Sequence, residues 1–163
     1  MIRVIRKTDC DAIAAIEAKA FNKTLDRVRL LNFMEMEVFC GFVDDVNIPN
    51  ISSTSDKLNN LDKPNVLAGY LLATIIADEA EVLSIAVSAD HQKCGRGGRL
   101  LSHFLAFSVT QEVKTVLLEV AADNVPALTL YHRYGFAEFG RRASYYKRSD
   151  GNCDAIMMRW LND

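Results

Sequence analysis

Two side chains and one turn in this chain have the types and spacing to do chemistry. Glu119 stands inside an apolar run, Leu118-Glu119-Val120. A carboxylate there is costly unless it is paired or reaches solvent in a cleft. Partial burial would favour its neutral form and suit it to general-base work near neutral pH. It could equally face water on a one-sided sheet. Tyr131 lies in Asn124-Val-Pro-Ala127-Leu-Thr-Leu130-Tyr131, ahead of Gly135-Phe136. Spacing alone fits a core aromatic, but a phenol can also give a proton to a departing thiolate.

The turn is Gln92-Lys93-Cys94-Gly95-Arg96-Gly97-Gly98. It follows the apolar run Val82-Leu83-Ser84-Ile85-Ala86-Val87 and leads straight into a helical pattern. Glycines let a ligand approach the backbone, and the unpaired N–H groups of a helix start point outward. The third glycine of a dinucleotide fingerprint is absent, since Leu100 stands there. No Gly-Lys-Ser/Thr follows, so it is not a nucleoside-triphosphate loop. A pyrophosphate fits best. The four cysteines, Cys10, Cys40, Cys94 and Cys153, form no paired motif, and His91, His103 and His132 have no ligand spacing. A metal site or disulfide framework is not expected. Cys94, before a helix start, reads as an incidental small residue, although that position can activate a thiol.

These groups need a scaffold. The chain has 163 residues, half of them hydrophobic and a quarter charged, which suits one globular domain over residues 1–163. With 19 basic and 21 acidic residues, the net charge of −2 argues against a nucleic-acid surface. No apolar run approaches a membrane span, and the N-terminus lacks a signal-peptide core, so a cytoplasmic protein is expected.

Periodicity gives the order β-α-α-β-β-β-α-β-α-β-β. Strands are expected at 2–5, 37–43, 66–77, 80–87, 114–120, 136–146 and 155–160. Thr8 or Asp9 can cap the first helix, and Thr24 or Asp26 the second. Asn124 or Asp123 can cap the last, with Pro126 in its first turn and Gly135 after its end. Residues 44–65, rich in Asn and Ser, read as a long polar loop: a surface insertion, or a lid or partner contact. Two adjacent apolar strands at the centre imply an antiparallel hairpin in a mixed α+β fold.

The same residues resemble the GNAT superfamily of acetyl-CoA-dependent N-acetyltransferases. The turn from Gln92 to Gly97 matches its Q/R-x-x-G-x-G/A signature. Asn124, Ala127, Leu130, Tyr131, Gly135 and Phe136 match its N-x-x-A-x-x-L-Y-x-x-x-G-F segment. More narrowly the chain resembles the RimI branch, the ribosomal-protein-alanine N-acetyltransferases. The features are Ile85-Ala86-Val87, Leu118-Glu119-Val120, Arg141-Arg142-x-x-Tyr145-Tyr146, and Asp150-Gly151 leading into Asp154-Ala155-Ile156-Met157-Met158. The likeness is strong over residues 79–160. Before that it extends to element order and Ala20-Phe21.

The resemblance implies a central, mostly antiparallel mixed sheet of about seven strands with about four helices. It implies acetyl-CoA as cosubstrate, with no metal. The backbone of Ile85, Ala86 and Val87 would pair with the pantetheine arm. Amides from Lys93 through Cys94, Gly95, Arg96 and Gly97 to Gly98 would hold the pyrophosphate. Asn124 would position cofactor or water, Glu119 would act as base, and Tyr131 would protonate the leaving thiolate. Transfer would be direct, so Cys94 is no nucleophile. The acceptor implied is the N-terminal α-amine of a protein such as a ribosomal protein. The rivals are a lysine or small-amine acetyltransferase and a non-catalytic acetyl-CoA-binding module. Asn22-Lys23 replace the family's frequent Pro-Trp in the acceptor groove. Pro126 and Gly98 replace commoner alanines, exchanges expected to be tolerated.

Overall fold

The computed structural model describes residues 1–21, 25–46, 66–148 and 151–162. The strands are β1 (Ile2–Val4), β2 (Phe39–Val46), β3 (Val66–Ile76), β4 (Glu79–Val87), β5 (Thr115–Ala121), β6 (Ala137–Arg148) and β7 (Gly151–Leu161). The helices are α1 (Cys10–Ala20), α2 (Arg27–Met34), α3 (Arg96–Thr110) and α4 (Val125–Arg133), with short 3-10 turns before α1 and after β4. The strands form one sheet in the order β1-β2-β3-β4-β5-β7-β6. All neighbours are antiparallel except β4 and β5. This is the expected α+β architecture and element order. Asp26 caps α2 by accepting from the Arg29 N–H at 2.8 Å. Among the described residues no helix is long and apolar enough to cross a membrane.

Two cores lie on the two faces of the sheet. On one face α3 and α4 pack Leu100, Leu101, Phe104 and Tyr131 against Leu71, Val82, Val116, Leu118 and Val120. On the other, α1 and α2 pack Ile13, Ile16 and Leu30 against Val43, Tyr70, Leu72 and Ala86. Alternation along a strand assigns every side chain to one of these layers. Thus Glu119, between Leu118 and Val120, faces the α1/α2 layer. Ser84 lies opposite Leu72 and also faces that layer.

Two boundaries are corrected. The first is β7, which begins at Gly151 rather than 155 because its pairing with β6 runs to Arg148↔Gly151. The expected loop at 44–65 begins too early, because Asp44, Asp45 and Val46 belong to β2. Two aspartates in a row resemble a loop, yet both are buried, at 0% and 5% exposure. Their charges are met by cations on opposite faces. Asp44 pairs with Arg96 at 2.8 Å, and Asp45 with Arg3 at 2.6 Å. Arg3 also grips Asp9 through both terminal nitrogens, at 2.7 and 2.8 Å. The remainder of that loop, residues 47–65, lies outside the described residues, as do Asn22 and Lys23.

Candidate active site

The site forms where the two parallel strands part. β4 and β5 pair only from Glu79↔Thr115 to Val82↔Leu118. At that point β4 carries a one-residue bulge: Ala73 is opposite Val82, but Leu72 is opposite Ser84. Leu83 is the extra residue, and it bends β4 away from β5. Beyond the last pair, the edges of Ile85, Ala86 and Val87 face a gap rather than a neighbouring strand. Such a gap suits an extended amide-bearing arm. The end of the track is closed by Gln92, whose side-chain amide donates to the Val87 carbonyl at 3.0 Å.

The glycine turn stands at the mouth of this gap. Lys93 (φ 60°) and Gly95 (φ 78°) both have left-handed backbone, with Cys94 between them. Alternating conformations of this kind aim successive amides into one concavity. Gly95 is the N-cap of α3, and a Cβ built on it would meet open space within 4 Å. The first helical bond runs from the Arg99 N–H to the Gly95 carbonyl at 3.0 Å. Amides of Arg96, Gly97 and Gly98 are therefore presented at the positive end of a 15-residue helix. An anionic pyrophosphate fits this donor set.

The Arg96 side chain has a different task. It donates to Asp44, and Arg99 lies 3.7 Å from the same carboxylate. Burial opposes the Asp44 charge. The hydrogen bonds from Arg96 and from the Met1 ammonium outweigh that and hold its pKa below the ordinary range. Arg96 therefore anchors the turn to β2. Cys94 donates its thiol to the His91 carbonyl at 2.8 Å, a local tie within the same turn. At Gly98, where the family more often has alanine, glycine leaves room for Tyr134. A Cβ there would lie 2.8 Å from the Tyr134 hydroxyl and 3.3 Å from its ring, because α3 and α4 meet at this point.

The two reactive candidates lie on opposite sides of the gap. Tyr131 is 5% exposed and packs at 5.8 Å against the Phe136 ring, in the α3/α4 layer. Burial, with Tyr146 nearby, pushes its phenol up to about 12, so it stays protonated at neutral pH. Glu119 opens to the α1/α2 layer, its side chain 24% exposed. It is not an isolated carboxylate: Arg142 of β6 reaches it at 2.8 Å and also lies 5.4 Å from the Tyr145 ring. A bulge in β6 places this group, with the Ser144 N–H donating to Asp154 at 2.9 Å. Asn124 caps α4, its side-chain oxygen accepting from the Ala127 N–H at 3.3 Å. Its oxygen is therefore already engaged.

Sequence reasoning missed Asp44, Glu17 and Ser84. Asp44 gave no local signal, because its partners are 43 residues away or more, at Met1 and along α3. Glu17 did give one. With Ile13, Ile16 and Ala20 it occupies the apolar stripe of α1, where a carboxylate is out of place.

The fold and site define an acetyl-transfer scaffold: a split parallel pair beside a glycine turn, with a carboxylate and a phenol flanking the split. The model of the acetyltransferase (GNAT) family matches residues 47–136, and the chain belongs to that family. It is 39% identical over 92 residues to the [ribosomal protein bS18]-alanine N-acetyltransferase of Escherichia coli K12. That stretch is 56% of this chain and 62% of the relative, so the match spans about three-fifths of the relative's length. The crystal structure of the ribosomal-protein-S18-alanine N-acetyltransferase from Escherichia coli superposes with a TM-score of 0.81 at 28% identity. That superposition covers 99% of this chain and 92% of the other. The structure of yncA from Salmonella typhimurium with its cofactor acetyl-CoA shares the fold, with a TM-score of 0.80 at 20% identity, over 100% of this chain and 94% of that one. Both comparisons therefore bear out the likeness to the RimI branch drawn from the motifs.

Proposed function

We propose that the chain moves the acetyl group of acetyl-CoA to a primary amine, the N-terminal α-amine of a protein such as a ribosomal protein. One observation carries this reading: Glu119 and Tyr131 stand on opposite faces of the gap between β4 and β5, beside the turn at Gly95. Acetyl-CoA supplies an activated thioester. The amides of Lys93, Cys94, Gly95, Arg96, Gly97 and Gly98 hold its pyrophosphate, and the edge of Ile85, Ala86 and Val87 aligns its arm. Glu119 accepts a proton from the attacking nitrogen, directly or through water. Its guanidinium partner, Arg142, fixes where that carboxylate points. Tyr131 supplies the proton to the sulfur that leaves. Asn124 contributes its amide hydrogens to cofactor or water.

The acceptor is tested with synthetic peptides that vary in their first residue, each also made with a blocked N-terminus and assayed beside free lysine and small amines. Acetylation of open peptides only is the expected result. Acetylation of blocked, lysine-bearing peptides or of small amines instead would move the acceptor to one of those classes. Acetyl-CoA binding with no acetylation of any amine would leave a binding module. Tyr131→Phe is expected to lower kcat about 100-fold with the acetyl-CoA KM unchanged.

A further inference from the structure

A second carboxylate borders the same face of the gap. Between α1, α2 and β4 lies a cavity of about 260 Å³. Leu25, Phe33, Leu72 and Leu83 give it apolar walls, Glu17 and Ser84 give it a polar end, and Arg29 of α2 completes the lining. Glu17 is only 6% exposed. Ser84 donates to it at 3.1 Å, and the Ser84 oxygen lies 3.1 Å from the Tyr70 hydroxyl. Among the described residues no cation pairs with Glu17. The cavity is next to the reacting gap. Ser84 is two residues past Val82, and Glu119 is one past Leu118, the last paired residues of β4 and β5. Both side chains face the α1/α2 layer, so the cavity lies on the same face of the sheet as Glu119 and on the face opposite Tyr131.

The two carboxylates differ in what they offer an incoming ammonium. Arg142 already balances the charge of Glu119. Glu17 has two hydroxyls behind it and an apolar wall beside it. An ammonium with an organic substituent matches that combination. We propose that Glu17 docks the acceptor: its carboxylate pairs with the incoming α-ammonium and takes one of its protons, while the apolar walls receive the first side chain. This rests on the acetyl-transfer reading above.

An ammonium nitrogen has no lone pair to attack with. One N–H bond breaks, the proton passes to a Glu17 oxygen and then to water, and the nitrogen keeps the electron pair. The proton lost after attack is the one assigned to Glu119. Burial pushes the Glu17 carboxyl up to about 7, against the hydrogen bond from Ser84, close to the ordinary range of an α-amine near 8. The other groups on this side are Arg29 on α2, Tyr70 on β3, Glu81 on β4, and the Glu119–Arg142 pair across the gap.

The test measures kcat and KM for wild type, Glu17→Gln and Ser84→Ala, using the best open peptide from the panel between about pH 6 and 9. Glu17→Gln is expected to raise the peptide KM about tenfold, to leave the acetyl-CoA KM unchanged, and to shift the acidic limb of kcat/KM upward towards the amine's own pKa. An unchanged peptide KM and an unchanged limb, in a wild type that does acetylate peptides, overturn the role of Glu17 alone. A wild type that acetylates no amine overturns the transfer reading itself. Should Glu17→Gln not fold, Ser84→Ala must raise the peptide KM about threefold, or the proposal falls.

Discussion

On the proposed reading, the two sides of the gap would recognise their ligands by different means. The cofactor side is backbone: strand edge, left-handed turn and helix amides, all within residues 82–99. The acceptor side is side chains from four elements: Glu17 of α1, Ser84 of β4, Glu119 of β5 and Arg142 of β6. A backbone site is indifferent to many side-chain changes but intolerant of displacement or added bulk. A side-chain site is the reverse. Mutations on the two sides should therefore fail in different kinetic constants.

Asp44 and Asp45 are the sharpest test, because they are adjacent and face opposite ways. Asp44 ties Arg96 at the start of α3, and Asp45 ties Arg3 beneath α1. Removing Asp44 leaves the shielded Arg96 guanidinium without its carboxylate, at a cost of about 3 kcal/mol in chemical denaturation, whereas Arg3 keeps Asp9 when Asp45 is removed and the cost is smaller. Only Asp44→Ala should also raise the acetyl-CoA KM, about tenfold, since only it releases the phosphate turn. Equal cofactor defects in Asp44→Ala and Asp45→Ala would break the division between the two sides.

Gly98→Ala is the next in size. Its methyl group would meet the Tyr134 hydroxyl at 2.8 Å, so either the Tyr134 ring or the spacing of α3 and α4 must give, close to the amides that face the gap. Overpacking of this kind costs about 2 kcal/mol. Part of that should appear as an acetyl-CoA KM raised about fivefold, with the peptide KM unchanged. Gly98→Ala combined with Tyr134→Phe would remove the closest atom and should recover part of the loss. No recovery would place the strain elsewhere.

The same contrast explains what the sequence could disclose. The proposed cofactor side was legible because one contiguous stretch carries it: an apolar strand, a polar turn and three glycines suggest an anion site. Tyr131 and Glu119 were legible as chemical types and by resemblance, but the pairing of Glu119 with Arg142 was not. That ion pair depends on β6 lying two strands from β5 and on a bulge held by Asp154. Asp44 and Asp45 were misread as loop because polarity is a local cue, and the cations that make them strand residues come from β1 and α3. The reason for glycine at position 98 was not legible, because the constraint is the position of Tyr134 at the end of another helix, which no local pattern encodes.

The smallest predicted effect concerns Glu17 in the absence of any acceptor. Burial raises its carboxyl from 4.5 to about 7, so the folded protein holds that proton more tightly than the unfolded chain. Below pH 4.5 the group is protonated in both states and costs nothing. As pH rises from there, the unfolded chain gains a well-solvated carboxylate before the folded one does, and stability falls. Above pH 7 both are ionised and the penalty is constant. Glu17→Gln removes the penalty, so it should be neutral in thermal melts at pH 4 and stabilising at pH 8. Because water reaches the group through the cavity, the gain is about 1 kcal/mol, a Tm rise of a few degrees. A variant that melts higher at pH 8 and yet binds peptide less tightly would mark Glu17 as a residue kept for the acceptor at the expense of the fold. Equal melting at both pH values would mean that the carboxylate is already solvated, and would remove the energetic reason for it to seek an ammonium.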